Sequence, residues 1–179
     1  MDTPNFYILT EGKNDSKIVQ SLIKGIDNYQ LLHANGLSSL LSTAVSILIT
    51  KNSHVIIFAD TDSVEYDKNK DKDVFIKEMV RYKQYQDRLK IILAAPELEV
   101  ALFNHKQFFE NYFDIKISDA QWIQMRHAPK QFLHYLFNTE SDKIYDTILK
   151  DPKWESELYA SDMRKELMEY YEEKTAVAS

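Results

Sequence analysis

Asp60 and Asp62 stand two positions apart, directly after the apolar run HVIIFA at 54–59. Burying one ionised carboxylate is costly, and a second one beside it adds like-charge repulsion. A divalent cation offsets both costs. Other acids are placed in the same way: Glu11 follows the apolar run NFYILT at 5–10, and Glu97 and Glu99 follow RLKIILAA at 88–95. Asp15 comes four residues after Glu11, one turn further along if a helix starts there, and so on the same side. The chain has no cysteine, and the set needs no histidine, so it reads as a hard-oxygen site suited to Mg²⁺ or Mn²⁺ rather than Zn²⁺. Cations held in this way neutralise phosphate charge, activate a water and stabilise the leaving oxygen in phosphoryl transfer. Each acid also has an ordinary explanation. Glu-Gly after a strand is a common turn, Asp at a strand end often caps the next helix, and Glu97 would complement a helix N-terminus. Taken singly, those explanations weigh more; taken together, the acids favour a site.

Such a site needs a scaffold that brings distant positions to one edge. Asn5 to Thr10 reads as a short buried strand, and NDSKIVQSLIKGI at 14–26 as a helix, with Asn14 or Asp15 as N-cap and Ile18, Val19, Leu22, Ile23 and Ile26 inward. YQLLHANG, from Tyr29 to Gly36, is a second strand, and LSSLLSTAVSILIT at 37–50 a second helix. HVIIFA is a third strand whose unbroken apolar character suits burial on both faces. Tyr66 to Asp73 is a dense mixed-charge stretch, read as a solvated loop or frayed helix start, before helical periodicity through Phe75, Ile76, Met79, Val80 and Tyr82. RLKIILAA is the fourth strand, and PELEVALFNHKQFFENYF begins a further helix from Pro96, with Leu98, Ala101, Leu102, Phe108 and Phe109 inward. The alternation predicts an α/β fold with a mainly parallel four-stranded sheet flanked by helices and joined by right-handed crossovers. Ligands of such sheets bind outside the carboxyl ends of the strands, and three of the four predicted strands end in acid there. After about residue 114 the strand signals stop, which divides the chain into a domain at 1–113 and a helical C-terminal extension, packed on it, at 114–179.

Composition narrows the function classes. A chain of 179 residues with 44% hydrophobic content can bury one proper core. MDTPNFYILTEG lacks the basic start and long apolar core of a secretory signal, and no apolar run approaches the roughly 20 residues that span a bilayer. The expectation is a water-soluble, cytoplasmic protein with no membrane partner, consistent with the lack of disulfides. A net charge of −6 argues against a general nucleic-acid coat while allowing a local grip through metal ions and a few lysines. With only three glycines, the chain has no GxGxxG or GxxxxGK[ST] phosphate loop.

The turn EG after the first strand, the DxD of Asp60-Thr61-Asp62 closing a later strand and the order of elements resemble the Toprim domain of topoisomerases, bacterial primases, recombination-repair proteins and OLD-family nucleases. That resemblance implies a parallel-sheet α/β fold, with Glu11 as the glutamate of the first turn and Asp60 and Asp62 as the Mg²⁺-binding pair. EGKND, with Asp15 four residues after the glutamate, is similar to the OLD-like branch, which uses two metal ions. PELEVALF resembles the P-x-x-E segment of small stand-alone and defence-associated Toprim proteins and would make Glu99 a further ligand. The resemblance spans about residues 5–113. It implies a Mg²⁺- or Mn²⁺-dependent nuclease acting on DNA, or less expectedly RNA, in phage defence or DNA repair. Asp15, Asp60, Asp62 and Glu99 would hold metal, and Glu11 would bridge a metal or serve as general acid/base. Nucleases of that branch commonly supply a late basic residue. Lys13 is the catalytic candidate by chemistry, with Arg126 and Lys130 as further candidates and as nucleic-acid contacts. The ATPase domain that accompanies many OLD-family nucleases is absent from this sequence, so the chain would act alone or with a separate ATPase or other protein partner. Two other readings stand behind this one. A non-catalytic Toprim-like regulatory or interaction subunit is the alternative. A haloacid dehalogenase-like phosphatase is weaker: Asp60-Thr61-Asp62-Ser63-Val64 nearly imitates D-x-D-x-[TV], but that motif normally sits on the first strand and Glu11 would be idle. Metal-dependent glycosyltransferases also carry DxD, but no sugar-nucleotide signature accompanies it here.

From Lys116 to Tyr135, Arg126, His127, Lys130 and His134 mix with Trp122, Phe132 and Tyr135. Such a segment can grip a strand through phosphate contacts and stacking; aromatics at helical spacing are more often core, and that reading is slightly favoured. His33 and His54 are expected as hydrogen-bonded core or edge residues, and His105 is a lesser candidate for the site. WESELYASDMRKELMEYYEEK, with Leu158, Met163, Leu167, Tyr170 and Tyr171 on one side, would pack back on the domain or form a homodimer or partner contact. The final TAVAS is expected to fray.

Overall fold

The computed structural model describes residues 5–138 and 141–176. The ends of two expectations fall outside these residues: the start of the segment read for a targeting signal, at 1–4, and the frayed terminus at 177–179. Thr175 and Ala176 close the last helix.

Strands β1 (Phe6–Thr10), β2 (Tyr29–His33), β3 (His54–Asp60) and β4 (Leu89–Ala94) form one four-stranded sheet in the order β2-β1-β3-β4. Every neighbouring pair is parallel. Thr10 pairs with Phe58 and with His33, and Asp60 with Ala94, so the carboxyl ends of all four strands share one edge. The helices are α1 (Lys13–Leu22), α2 (Leu37–Thr50), α3 (Tyr66–Met79), α4 (Tyr82–Tyr85), α5 (Lys106–Phe113), α6 (Asp119–His127), α7 (Pro129–Phe137), α8 (Ser141–Lys150), α9 (Glu155–Ala160) and α10 (Asp162–Ala176). Among the described residues no helix is long and apolar enough to cross a membrane.

Alternation along the strands divides the core between the two faces of the sheet. Tyr7, Leu9, Val55, Ile57, Ala59 and Leu89 face α2 and the Ile76 and Val80 end of α3. Phe6, Ile8, Ile56, Phe58, Ile92 and Ala94 face α1 and the C-terminal helices, whose Met125, Leu133, Ile144, Tyr145, Trp154, Leu158 and Leu167 belong to the same cluster. The segment after residue 114 therefore covers one face of the sheet.

Several boundaries differ from the sequence expectations for identifiable reasons. The mixed-charge stretch from Tyr66 is helical from its start: Lys68 pairs with Glu65 and Lys77 with Asp73, and within α3 only Ile76 is fully buried. Helix α1 starts at Lys13 with Gly12 as N-cap, which puts Asp15 in its first turn rather than at the cap, and it stops at Leu22 rather than 26. PELEVALF does not open one long helix. Leu98–Leu102 form a 3₁₀ turn, and the chain breaks before α5 because the N–H groups of Asn104 and His105 donate to Glu157 Oε2 at 3.0 and 2.9 Å. His105 Nδ1 lies 2.6 Å from Glu157 Oε1, so this histidine serves that buried clamp instead of the acid cluster. His54 meets the Tyr170 hydroxyl at 3.2 Å, while His33 lies exposed on edge strand β2.

Trp154, fully buried among Phe108, Phe109, Tyr112 and Phe113, ties the C-terminal segment to α5. Trp154→Ala should cost about 3–5 kcal/mol. In urea unfolding it should move far-ultraviolet circular dichroism and near-ultraviolet aromatic signals together, as one core requires.

Candidate metal centre

The predicted acids come from four places along the carboxyl edge. Glu11 follows β1, Asp60 is the last residue of β3 and Asp62 lies just beyond it, Glu99 sits in the 3₁₀ turn after β4, and Asp15 in the first turn of α1. Hydrogen bonds fix the exits. Thr61 N–H donates to Ala94 O at 2.8 Å and Asp62 N–H to Pro96 O at 2.9 Å, so the loop after β3 is stitched to the one after β4. Asp62 takes a left-handed backbone (φ 58°), an uncommon conformation that Asp tolerates better than most residues. Asp15 Oδ2 accepts from Gly12 N–H at 2.8 Å, and a Cβ at position 12 would stand 3.2 Å from that oxygen, so glycine keeps the space for the carboxylate. Asp60 Oδ1 accepts from Leu98 N–H at 2.8 Å.

The electrostatics join these acids into one neighbourhood. Burial, followed by the charges of Asp15 and Glu99 and then Glu11, pushes the Asp60 carboxyl up to about 8, against the pull of the Leu98 N–H. Glu11 is also raised, by burial first and then by Asp62 and Asp15, with Lys72 opposing. Glu99 is wholly inaccessible and raised by burial, with the Tyr145 hydroxyl and Lys130 working the other way. Glu11 Oε1 and Glu99 Oε2 are buried without a hydrogen-bond partner, a costly condition for carboxylate oxygens.

Cations line the same edge. Lys130, expected as a nucleic-acid contact, has its Nζ 3.9 Å from Glu99 Oε1, and its N–H donates to Glu97 Oε2 at 3.3 Å. Pro129 at the first position of α7 leaves the Lys130 N–H among those without an intrahelical partner, and Glu97 takes it. Burial works against the Lys130 charge, but Glu99, Glu97, Asp15 and Asp60 together hold its pKa above the ordinary range. Lys13, the catalytic candidate, is exposed, and its charge acts on Asp146 of α8. Arg126 is exposed on α6.

Two further residues of the cluster escaped sequence reasoning. Lys72 of α3 puts its Nζ 2.7 Å from Asp62 Oδ2 and 4.0 Å from Glu11 Oε1. Its position four residues before buried Ile76 would have marked it as inward had the stretch been read as a helix. Tyr145 of α8 donates a short hydrogen bond to Glu99 Oε1, and nothing in the sequence pointed its hydroxyl there.

The donors are all hard oxygens, and two of them are orphaned, so the residues fit Mg²⁺ or Mn²⁺ in chemistry. Yet among the described residues no three Asp, Glu or His side chains form a group that could hold an ion as they stand. The protein's own groups account for this: Asp62 faces Lys72, Asp60 the Leu98 N–H, Asp15 the Gly12 N–H, and Glu99 Tyr145 and Lys130. Comparison with family models, curated proteins and solved structures finds no match to the chain.

The raised carboxyl gives a signed pH dependence. Between the ordinary aspartate value of 3.8 and about 8, the folded state keeps the Asp60 proton and the unfolded state has lost it, so stability falls as pH rises through that window. His54, with its pKa lowered from 6.5 by burial first, has the opposite effect only below that value. Thermal unfolding should therefore show a falling midpoint from pH 6.5 to about 8, and a flatter profile in Asp60→Asn. Lys72→Met should bind Mn²⁺ about two- to fivefold more tightly by calorimetry, the scale of one partly exposed ion pair.

Proposed function

We propose that the chain is a Toprim-type phosphodiesterase that uses Mg²⁺ or Mn²⁺ to cleave nucleic acid, with DNA the favoured substrate. The observation that carries this reading is the convergence of Glu11, Asp60 and Glu99 from three strand exits with Asp15 from the first turn of α1, a crowding that together with burial pushes the Asp60 carboxyl up to about 8. Such crowding favours a divalent ion over any packing role for these side chains. Asp60, Asp62, Glu99 and Asp15 would hold metal, and Glu11 would bridge it or move a proton at its Oε1, which has no hydrogen-bond partner. The cation supplies charge for the scissile phosphate and an activated water. Tyr145 holds Glu99 by one oxygen and leaves Oε2 available. Lys130, its pKa raised by its acidic neighbours, would take up negative charge on the phosphate, the role the resemblance gives to a late basic residue. A separate ATPase or other protein partner and a setting in phage defence or DNA repair belong to the same proposal.

One observation favours a second reading, a non-catalytic regulatory or interaction subunit: Lys72 already neutralises Asp62 beside Glu11. The two are separated by incubating the protein with supercoiled plasmid, linear DNA, single-stranded DNA and RNA in Mg²⁺ and in Mn²⁺. Cleavage should fall about a hundredfold or more in Glu11→Gln and Asp60→Asn. The latter should keep or gain thermal stability, because an amide at 60 relieves the repulsion and can still accept from Leu98 N–H. Tyr145→Phe should lose about tenfold in metal affinity or rate. Absence of cleavage while metal still raises the melting temperature would support the regulatory reading.

A further inference from the structure

The exits of β3 and β4 and the outer face of α6 enclose a groove of about 270 Å³. Val64, Ala95 and Val100 form one wall, and Trp122, Ile123, Arg126 and His127 the other. The residues of the first wall adjoin the acid cluster along the chain. Val64 lies two residues beyond Asp62, Ala95 adjoins the Ala94 that pairs with Asp60, and Val100 follows Glu99.

We infer that this groove receives an unpaired base and its adjoining phosphate from a single-stranded nucleic acid whose backbone continues to the acid cluster. The choice of ligand rests on the reading of that cluster as a phosphodiester site. The apolar side of the groove suits the faces of a base. Trp122 is a fixed platform, its indole packed against Phe103 and Phe109 at ring separations of 5.9 and 5.3 Å, while Ile123 and Val64 remain 55% and 43% exposed. These exposed apolar groups have a use beside a base that they lack beside water. The charged side suits the backbone. Arg126 and His127 close α6 and Lys130 opens α7 with its Nζ at Glu99, so in a chain of net charge −6 a short row of basic side chains leads from the groove to the acids. The helix is anchored for this role, since Ser118 and Gln121 cap it reciprocally at 3.2 and 2.8 Å. The groove is too small for a stacked base pair, and a base inside a duplex could enter only by leaving its partner. The strand is therefore read unpaired.

The chain has two tryptophans, and Trp154 is wholly buried, so quenching by a stacked base reports Trp122. The test is to titrate the full chain, without divalent metal to prevent cleavage, with short single-stranded DNA, single-stranded RNA and duplex DNA of equal length. Quenching with binding about tenfold tighter for a single strand than for duplex is expected, and the better of the two single strands identifies the sugar. Arg126→Glu, an exposed change, should weaken that binding about tenfold or more. Equal affinity for duplex, saturation without quenching, or an unchanged Arg126→Glu would overturn the inference. Metal-dependent cleavage is assayed separately. Cleavage with no quenching overturns the groove alone, and quenching in a protein that never cleaves supports the groove while overturning the nuclease reading.

Discussion

Like-charge crowding at the carboxyl edge of the sheet is the constraint around which this molecule is arranged. A parallel sheet brings every strand exit to one side, and here Glu11, Asp60 and Asp62, and Glu99 follow the exits of β1, β3 and β4. Asp15 is added by the first turn of α1. Mutual repulsion and burial would expel such a set from a site with no other use. The surroundings instead retain it, with backbone N–H groups on Asp15 and Asp60, a tyrosine on Glu99, and lysines from α3 and α7 beside Asp62 and Glu99. The C-terminal helices matter to this balance because they supply two of the partners, Tyr145 and Lys130, from the face they cover.

The two lysines act differently. Lys130 faces the most buried acid, and its acidic neighbours, Glu99 foremost, raise its pKa against the cost of burial. Lys72 pairs with Asp62, whose side chain is largely exposed, and its helix is fully buried only at Ile76. Such a pair is weak and easily exchanged. Under the proposed function, Lys72 would be a counter-ion that a divalent cation could replace, and Lys130 part of the field that remains.

The sheet and the acids were legible in the sequence because strands buried on both faces read as unbroken apolar runs, and each of three such runs ends in carboxylate. The partners of those acids were not. Tyr66 to Asp73 looked solvated because its charges are solvated; what makes it a helix is the local pairing of Lys68 with Glu65 and Lys77 with Asp73 together with the buried seat of Ile76, which the charge density outweighed. PELEVALF looked like a helix start until Glu157, more than fifty residues later, takes the N–H groups of Asn104 and His105. Asp15 fitted a cap position equally well, and it is Gly12 at the cap that puts Asp15 in the first turn with its carboxylate on the Gly12 N–H. Only the Glu157 contact spans a long stretch of chain; the other two turn on local geometry that the residue types alone left open.

The central claim is that a divalent cation enters the acid cluster and displaces the proton that Asp60 holds near neutral pH. Calorimetric titration of Mn²⁺ in two buffers of different ionisation enthalpy measures that displacement directly. Release of about one proton per ion, diminished in Asp60→Asn and at a pH well above the Asp60 value of about 8, is the predicted result. Binding whose heat does not depend on the buffer, or no binding at all, would contradict it.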